Sequence, residues 1–164
     1  MSRALRPAGP GVAGTLTAGS HPDEGRLVAD QSVEIVEGTY AAFARGDVPG
    51  VLAAMADDIE WHEAEGMPYG GVHRGGDAVV RNVLGPITAD IDDFAVTPIE
   101  LIPSGDTVAV VARYTGTGKS TGKQLDLEVV HVWDVRDGKI VRFRQFPDTV
   151  KFLEVVPSEV ATTA

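Results

Sequence analysis

Four β-rich segments follow one another with no helix between them, across residues 94–102, 107–115, 124–133 and 139–146. Each is dominated by Val, Ile, Tyr and Phe, the residues that suit a pleated, half-buried surface. The connections are brief and polar: Ser104-Gly105-Asp106, the stretch 116–122, and Arg136-Asp137-Gly138. Asp137-Gly138 is the strongest hairpin signal of the three, because a tight two-residue turn needs positive φ at both central positions. Parallel strands would require long crossovers. An antiparallel meander is therefore expected, and a doubly wound parallel sheet is excluded.

Upstream the apolar period changes. Val33, Val36, Tyr40 and Phe43 recur at helical spacing, with Glu34 and Glu37 turned away. Gly46 ends this helix, and Asp47 caps a second one in which Pro49 sits early and Val51, Leu52 and Met55 form the buried stripe. A short strand is expected over 59–63, with Ile59, Trp61 and Glu63 on one face and Glu60 and His62 on the other. A loop of breakers from Gly66 to Gly76 leads to a third helix starting at Asp77, which Gly85-Pro86 is expected to end. A helical turn over 149–155 closes the domain. Helices segregated from a meander define an α+β fold, and a curved sheet over helices leaves a concave face that can become a pocket.

Composition narrows the chemistry. Asp and Glu number 24 against 14 Lys and Arg, a net charge of −10, which repels a phosphate backbone and argues against nucleic acid as partner. Cysteine is absent, so disulfides, a thiol nucleophile and thiolate metal sites are excluded. No apolar run approaches the ~20 residues of a membrane span. The first 26 residues are rich in Gly and Pro and too poor in apolar surface to offset the entropy of ordering. The reading is a disordered tail over 1–26, one domain over 27–157 and a short tail over 158–164. The stretch Gly11 to Ala18 is too broken for a secretory leader, so a cytoplasmic location is expected. Gly116-Thr-Gly-Lys-Ser120 joins two strands instead of opening a helix, and is read as a hairpin loop, not a phosphate loop.

The element order, with the segments Tyr40-Ala-Ala-Phe-Ala-Arg-Gly-Asp47, Ala56-Asp-Asp-Ile-Glu-Trp-His-Glu63 and His131-Val-Trp-Asp-Val-Arg-Asp-Gly-Lys-Ile140, resembles the nuclear transport factor 2-like superfamily, and within it the SnoaL-like, ketosteroid isomerase-related branch. The resemblance covers about residues 30–155. It implies a cone-shaped α+β barrel: three N-terminal helices on a curved, mainly antiparallel sheet with a central pocket. It also implies an aspartate-type base on the strand after the second helix, a position held here by Glu63. The position of the carboxyl in the isomerase oxyanion hole is Val130, and the position of its tyrosine is Thr39, with Tyr40 next to it. The base position is kept and that oxyanion hole is not. The limonene epoxide hydrolase branch needs an inward Arg–Asp pair, for which Arg113 is the plausible Arg, and the triad is absent.

Strand alternation carried from these positions places Glu128, Val130 and Val132 inward on the third long strand, and Val141, Phe143 and Gln145 inward on the last. The candidate catalytic residues are then Glu63, Glu128 and Asp148, with Asp148 equally suited to cap the closing helix. Trp61, Tyr40, Met67, Tyr69, Val130, Phe143 and Gln145 are the candidate substrate contacts, Met67 and Tyr69 from a loop over the mouth. His131, Trp133, Arg142 and Arg144 are expected on the outer face, where the resemblance implies a homodimer. His62 and Glu63 point to opposite faces and do not suit one metal ion, so no metal or other cofactor is expected. The reading is a cofactor-independent enzyme using a pocket carboxylate for acid–base chemistry (isomerase, cyclase or epoxide-opening) on a hydrophobic oxygenated molecule. The alternatives are a non-catalytic ligand-binding module and an interaction protein.

Overall fold

In the computed structural model, which describes residues 22–157, the chain runs through α1 (Pro22–Ala44), α2 (Val48–Ala54), β1 (Met55–Glu63), β2 (Gly71–Arg74), α3 (Gly76–Val79), α4 (Gly85–Asp90), β3 (Ile91–Ser104), β4 (Thr107–Gly118), β5 (Gln124–Arg136), β6 (Lys139–Pro147) and α5 (Thr149–Val155). The six strands form one open sheet in the order β2-β1-β6-β5-β4-β3. The meander β3 to β6 is antiparallel, as the hairpin chemistry requires, and β1 inserts beside β6 in parallel. Asp137 and Gly138 both take positive φ, 51° and 74°, the geometry of the mirror-image turn that matches strand twist. At the other end of the sheet Gly118 allows close approach of α5: a Cβ there would lie 2.4 Å from the Val155 carbonyl oxygen.

Four boundaries differ from expectation. The tail readings fall outside the described residues except at 22–26, which are helical, because Pro22 opens α1 and Asp23 and Glu24 complement the positive end of its dipole. Met55 is buried, but as the first residue of β1 and not as part of the α2 stripe. The Gly-rich loop contains a strand, β2, paired antiparallel to β1 with Trp61 opposite His73. The third helix continues through Pro86. A π-helical turn, Val80–Leu84, intervenes, and the Gly85 N–H bonds back to the Val80 oxygen. The wider turn gives the proline ring room at the start of α4, where its missing N–H falls at an end and not within a regular ladder.

The helices cover one face of the sheet, and the core lies between. Along β5 the buried positions are Leu125, Leu127, Val129, His131, Trp133 and Val135. Along β4 they are Val108, Val110, Ala112 and Tyr114. Trp61 stacks on Phe143 with ring centroids 3.9 Å apart, and Trp133 packs on the same Phe143 at 4.5 Å. This aromatic cluster joins β1, β6 and β5 and makes the floor of a cavity.

Candidate functional site

The cavity has a volume of about 330 Å³ and is walled mainly by apolar side chains, among them Phe43, Val51, Val83, Ile87, Phe94 and Phe143. That is the lower end of the range for small-molecule pockets. Of its polar groups, Glu63, Tyr40, Tyr114 and His131 face it from β1, α1, β4 and β5, and Asp47, Thr88 and Thr97 also line it. Glu63 is the last residue of β1 and only 5% exposed. Alternation from Ile59 through Trp61 turns it inward, as expected from the sequence.

One hydrogen-bonded network joins these groups. The indole N–H of Trp61 donates to Glu63 Oε1 at 2.5 Å, and the Gln145 amide donates to Glu63 Oε2. The Tyr114 hydroxyl donates to Gln145 Oε1 and also meets His131 Nε2 at 2.7 Å. His131 Nδ1 lies 2.6 Å from the Tyr40 hydroxyl, which accepts the Trp133 indole N–H at 3.1 Å. Register explains the proximity: His131 is the cross-strand partner of Gln145, and Trp61 and Trp133 both pair with Phe143.

Burial sets the electrostatics. It pushes the Glu63 carboxyl up to about 7, against the Trp61 hydrogen bond, which favours the charged form. It also holds the His131 imidazole down at about 3, so this histidine is neutral at ordinary pH. The Tyr40 and Tyr114 hydroxyls are raised by the same desolvation and stay protonated. Glu63 is thus the group in the network that gains or loses a proton near neutrality, and a carboxyl with that property beside an apolar cavity is suited to general acid or base work.

The sequence matches the SnoaL-like domain family over residues 36–143. The chain belongs to that family. An uncharacterized protein of Mycobacterium tuberculosis is similar, 32% identical over 120 residues, which cover 73% of this chain and 91% of the relative. An NTF2-like protein from Burkholderia thailandensis has a similar structure, with a TM-score of 0.74 and 40% identity, covering 76% of this chain and 96% of that one. TerC, co-crystallized with polyporic acid, is similar at a TM-score of 0.71 and 32% identity, covering 78% of this chain and 99% of its own.

The SnoaL-like scaffold brings together some of the expected residues and separates others. Glu63, Trp61, Tyr40 and Phe143 line the cavity, and Gln145 sits behind Glu63. Glu128 and Val130 do not reach it: both lie on the outer face of β5, with Val130 37% exposed. His131 and Trp133, expected outside, are inside at 3% and 1% exposure, so they offer nothing to an outer-face interface. The physical reason is the apolar row Leu125, Leu127 and Val129, whose burial fixes the phase of the whole strand. Arg142 and Arg144 do lie on the outer side, where both pair with Asp134, Arg142 at 2.6 Å. Val141 lies half-buried on that side too, facing the polar groove beside Arg142, while Ile140 is buried.

Asp148 is exposed and caps α5, accepting the Lys151 N–H at 3.1 Å, so its place is at the helix end and not among the cavity groups. Met67 and Tyr69 are buried but do not line the cavity. Tyr69 donates to Asp90 at 2.7 Å and packs edge-on against Phe152, which pins the loop to α4 and α5. Arg113 is also on the outer face, in a two-point pair with Asp126 at 2.6 and 2.8 Å. His62 turns away from the cavity toward Glu60, 3.3 Å distant. Tyr114 escaped the sequence reading. Its signal was present in β4, where Val108, Val110, Ala112 and Tyr114 form the apolar alternate of a strand whose other face carries Arg113.

Proposed function

We propose that the protein binds a hydrophobic, oxygenated small molecule in the cavity and that Glu63 moves a proton on it, in an isomerisation, a cyclisation or an epoxide opening. One observation carries this reading: a carboxyl buried at the wall of an apolar cavity, where desolvation pushes its pKa up to about 7. An ordinary surface carboxylate is a weaker and more strongly hydrated base than a buried one. Desolvation raises its basicity while the Trp61 and Gln145 donors hold both oxygens in place. The aromatic floor of Trp61, Trp133 and Phe143 supplies flat apolar contact. The crystallization of TerC with polyporic acid supports a pocket of this fold accepting an organic ligand.

Hydrogen exchange tests the reading without knowledge of the natural substrate. A panel of bicyclic apolar ketones, tetralone among them, is incubated with the protein in heavy water, and deuterium uptake beside the carbonyl is followed by NMR. The expected result is catalysed exchange that falls on the order of 10²-fold or more in Glu63→Gln, the loss typical of removing a general base. Equal exchange in the two proteins refutes proton transfer by Glu63. Binding of naphthol without exchange of any ketone favours the non-catalytic binding module.

A further inference from the structure

Hydrogen counting fixes a direction for the network around Glu63. Gln145 turns its amide nitrogen to Glu63, which leaves its Oε1 for Tyr114. A carbonyl oxygen only accepts, so Tyr114 gives its single hydroxyl hydrogen to Gln145. The 2.7 Å contact between Tyr114 and His131 Nε2 must then carry a hydrogen from His131. A neutral imidazole has one N–H, so Nδ1 is bare and accepts from the Tyr40 hydroxyl at 2.6 Å. Tyr40 in turn accepts from Trp133. The donors form one chain that points toward Glu63, and no hydrogen in it is used twice. This arrangement suits the carboxylate best, because both of its oxygens accept. A proton on Oε1 directed at Trp61 would oppose the indole N–H, which cannot become an acceptor, and a proton on Oε2 directed at Gln145 would oppose the amide as it stands.

We propose that proton uptake by Glu63 reverses this chain and so presents the Tyr40 hydroxyl hydrogen to the cavity. In the reversed state Glu63 Oε2–H donates to Gln145 Oε1, the amide having turned over, and the amide nitrogen donates to Tyr114. Tyr114 donates to His131 Nε2, and His131 carries its hydrogen on Nδ1 and donates to Tyr40. The Tyr40 oxygen then accepts from both His131 and Trp133, and among the described residues its own hydrogen has no protein acceptor. The two states differ by one bound proton, taken from solvent. His131 loses a hydrogen from Nε2 and regains one on Nδ1 by exchange with water, and stays neutral throughout. A buried donor left without a partner is costly. The protonated state therefore favours a ligand with an acceptor oxygen, a carbonyl or a phenolate, beside Tyr40. His131, Tyr114 and Gln145 are positioning residues that transmit the charge of Glu63 to that point. The switch is a property of the protein alone, and only its use toward a ligand rests on the proposed function.

Competing titrations do not blur the signal. Among the described residues the titratable groups facing Glu63, His131 and their cavity are Tyr40 from α1, Tyr114 from β4, Tyr69 from the loop after β1, with Asp90 of α4 behind it, and Asp47, which lines the cavity as the cap of α2 and pairs with Arg45. Burial raises all three phenols, so none ionises near neutrality.

Nitrogen-15 NMR of histidine distinguishes the two neutral tautomers directly, because a protonated ring nitrogen and a bare one resonate far apart. The intact protein is titrated from about pH 5 to about pH 9, a range that brackets neutrality, with His131 assigned by its loss in His131→Gln. The expected result is an N–H on Nδ1 at the acidic end and on Nε2 at the basic end, with no charged imidazolium. Glu63→Gln mimics the protonated carboxyl and is expected to hold the Nδ1–H form at every pH. Gln145→Leu cuts the chain, and the tautomer is expected to lose its pH dependence. A single His131 tautomer across the wild-type titration overturns the proposal, whether or not either variant folds. Ketone exchange that depends on Glu63, found with an unswitching His131, would leave the proposed function standing and remove the switch. A switching His131 without ketone exchange would do the reverse.

Discussion

Replacing Glu63 by Gln tests the burial argument through stability. The side chain keeps its shape, and the Trp61 and Gln145 donors can still be accommodated once the Gln145 amide turns. What disappears is a buried charge. The carboxyl titrates at about 7 in the folded protein against an ordinary value of 4.5. Between those values the folded state holds a proton that the unfolded chain has released, so stability falls as pH rises through this window and is flat above it. A shift of that size corresponds to about 3 kcal/mol. His131 works in the opposite sense: its folded value of about 3 lies below the ordinary 6.5, so its contribution is lost as pH falls from 6.5 toward 3. The two slopes overlap in the wild-type protein, but the difference between variant and wild type cancels the histidine. Urea unfolding of both proteins between about pH 4.5 and about pH 8 is therefore expected to show Glu63→Gln gaining about 3 kcal/mol on the wild type as pH rises. A difference that stays constant within 1 kcal/mol, on the order of one pKa unit, would show that Glu63 is hydrated and would refute the reasoning.

Other expectations follow from single contacts. Phe143→Ala removes the ring shared by Trp61 and Trp133 and is expected to cost about 3–5 kcal/mol in denaturant unfolding, the range for a buried aromatic truncation. Asp148→Ala loses the α5 cap, at about 1 kcal/mol, and leaves ketone exchange unchanged, since the residue is exposed at the helix end. Glu128→Gln is expected to leave both stability and exchange within error, as its carboxyl lies on the outer face. Gly138→Ala places a side chain at φ 74° and is expected to destabilise by about 1 kcal/mol, read as a lowered urea midpoint.

The strands of the meander and their connections were readable because turn chemistry is local. Asp137-Gly138 announces its own geometry, and Asp47 and Asp148 announce helix starts whatever lies elsewhere. Glu63 was readable because Ile59 and Trp61 carry its phase within the same strand. The β5 residues were misplaced for a different reason. A position transferred from the isomerase resemblance put Val130 inward, whereas Leu125, Leu127, Val129 and Val135 alternate the other way and win, since each buries a full apolar side chain. His131 and Trp133 then go inside despite their polar atoms, because Tyr40 and Tyr114 from two other elements bond to them. No spacing in the sequence records that meeting: Tyr40 and His131 are 91 residues apart. The helix continuing past Pro86 was hidden for a related reason, as a π-helical turn has no composition signature comparable to a Gly-Pro stop.

The most direct measurement is the carbon-13 chemical shift of the Glu63 carboxyl followed through a pH titration of the whole protein. Burial against Trp61 in an apolar cavity predicts a midpoint near 7, well clear of the surface carboxyls. A midpoint at or below the ordinary 4.5 would contradict the account, because the carboxyl would then hold no proton near neutral pH to give or take.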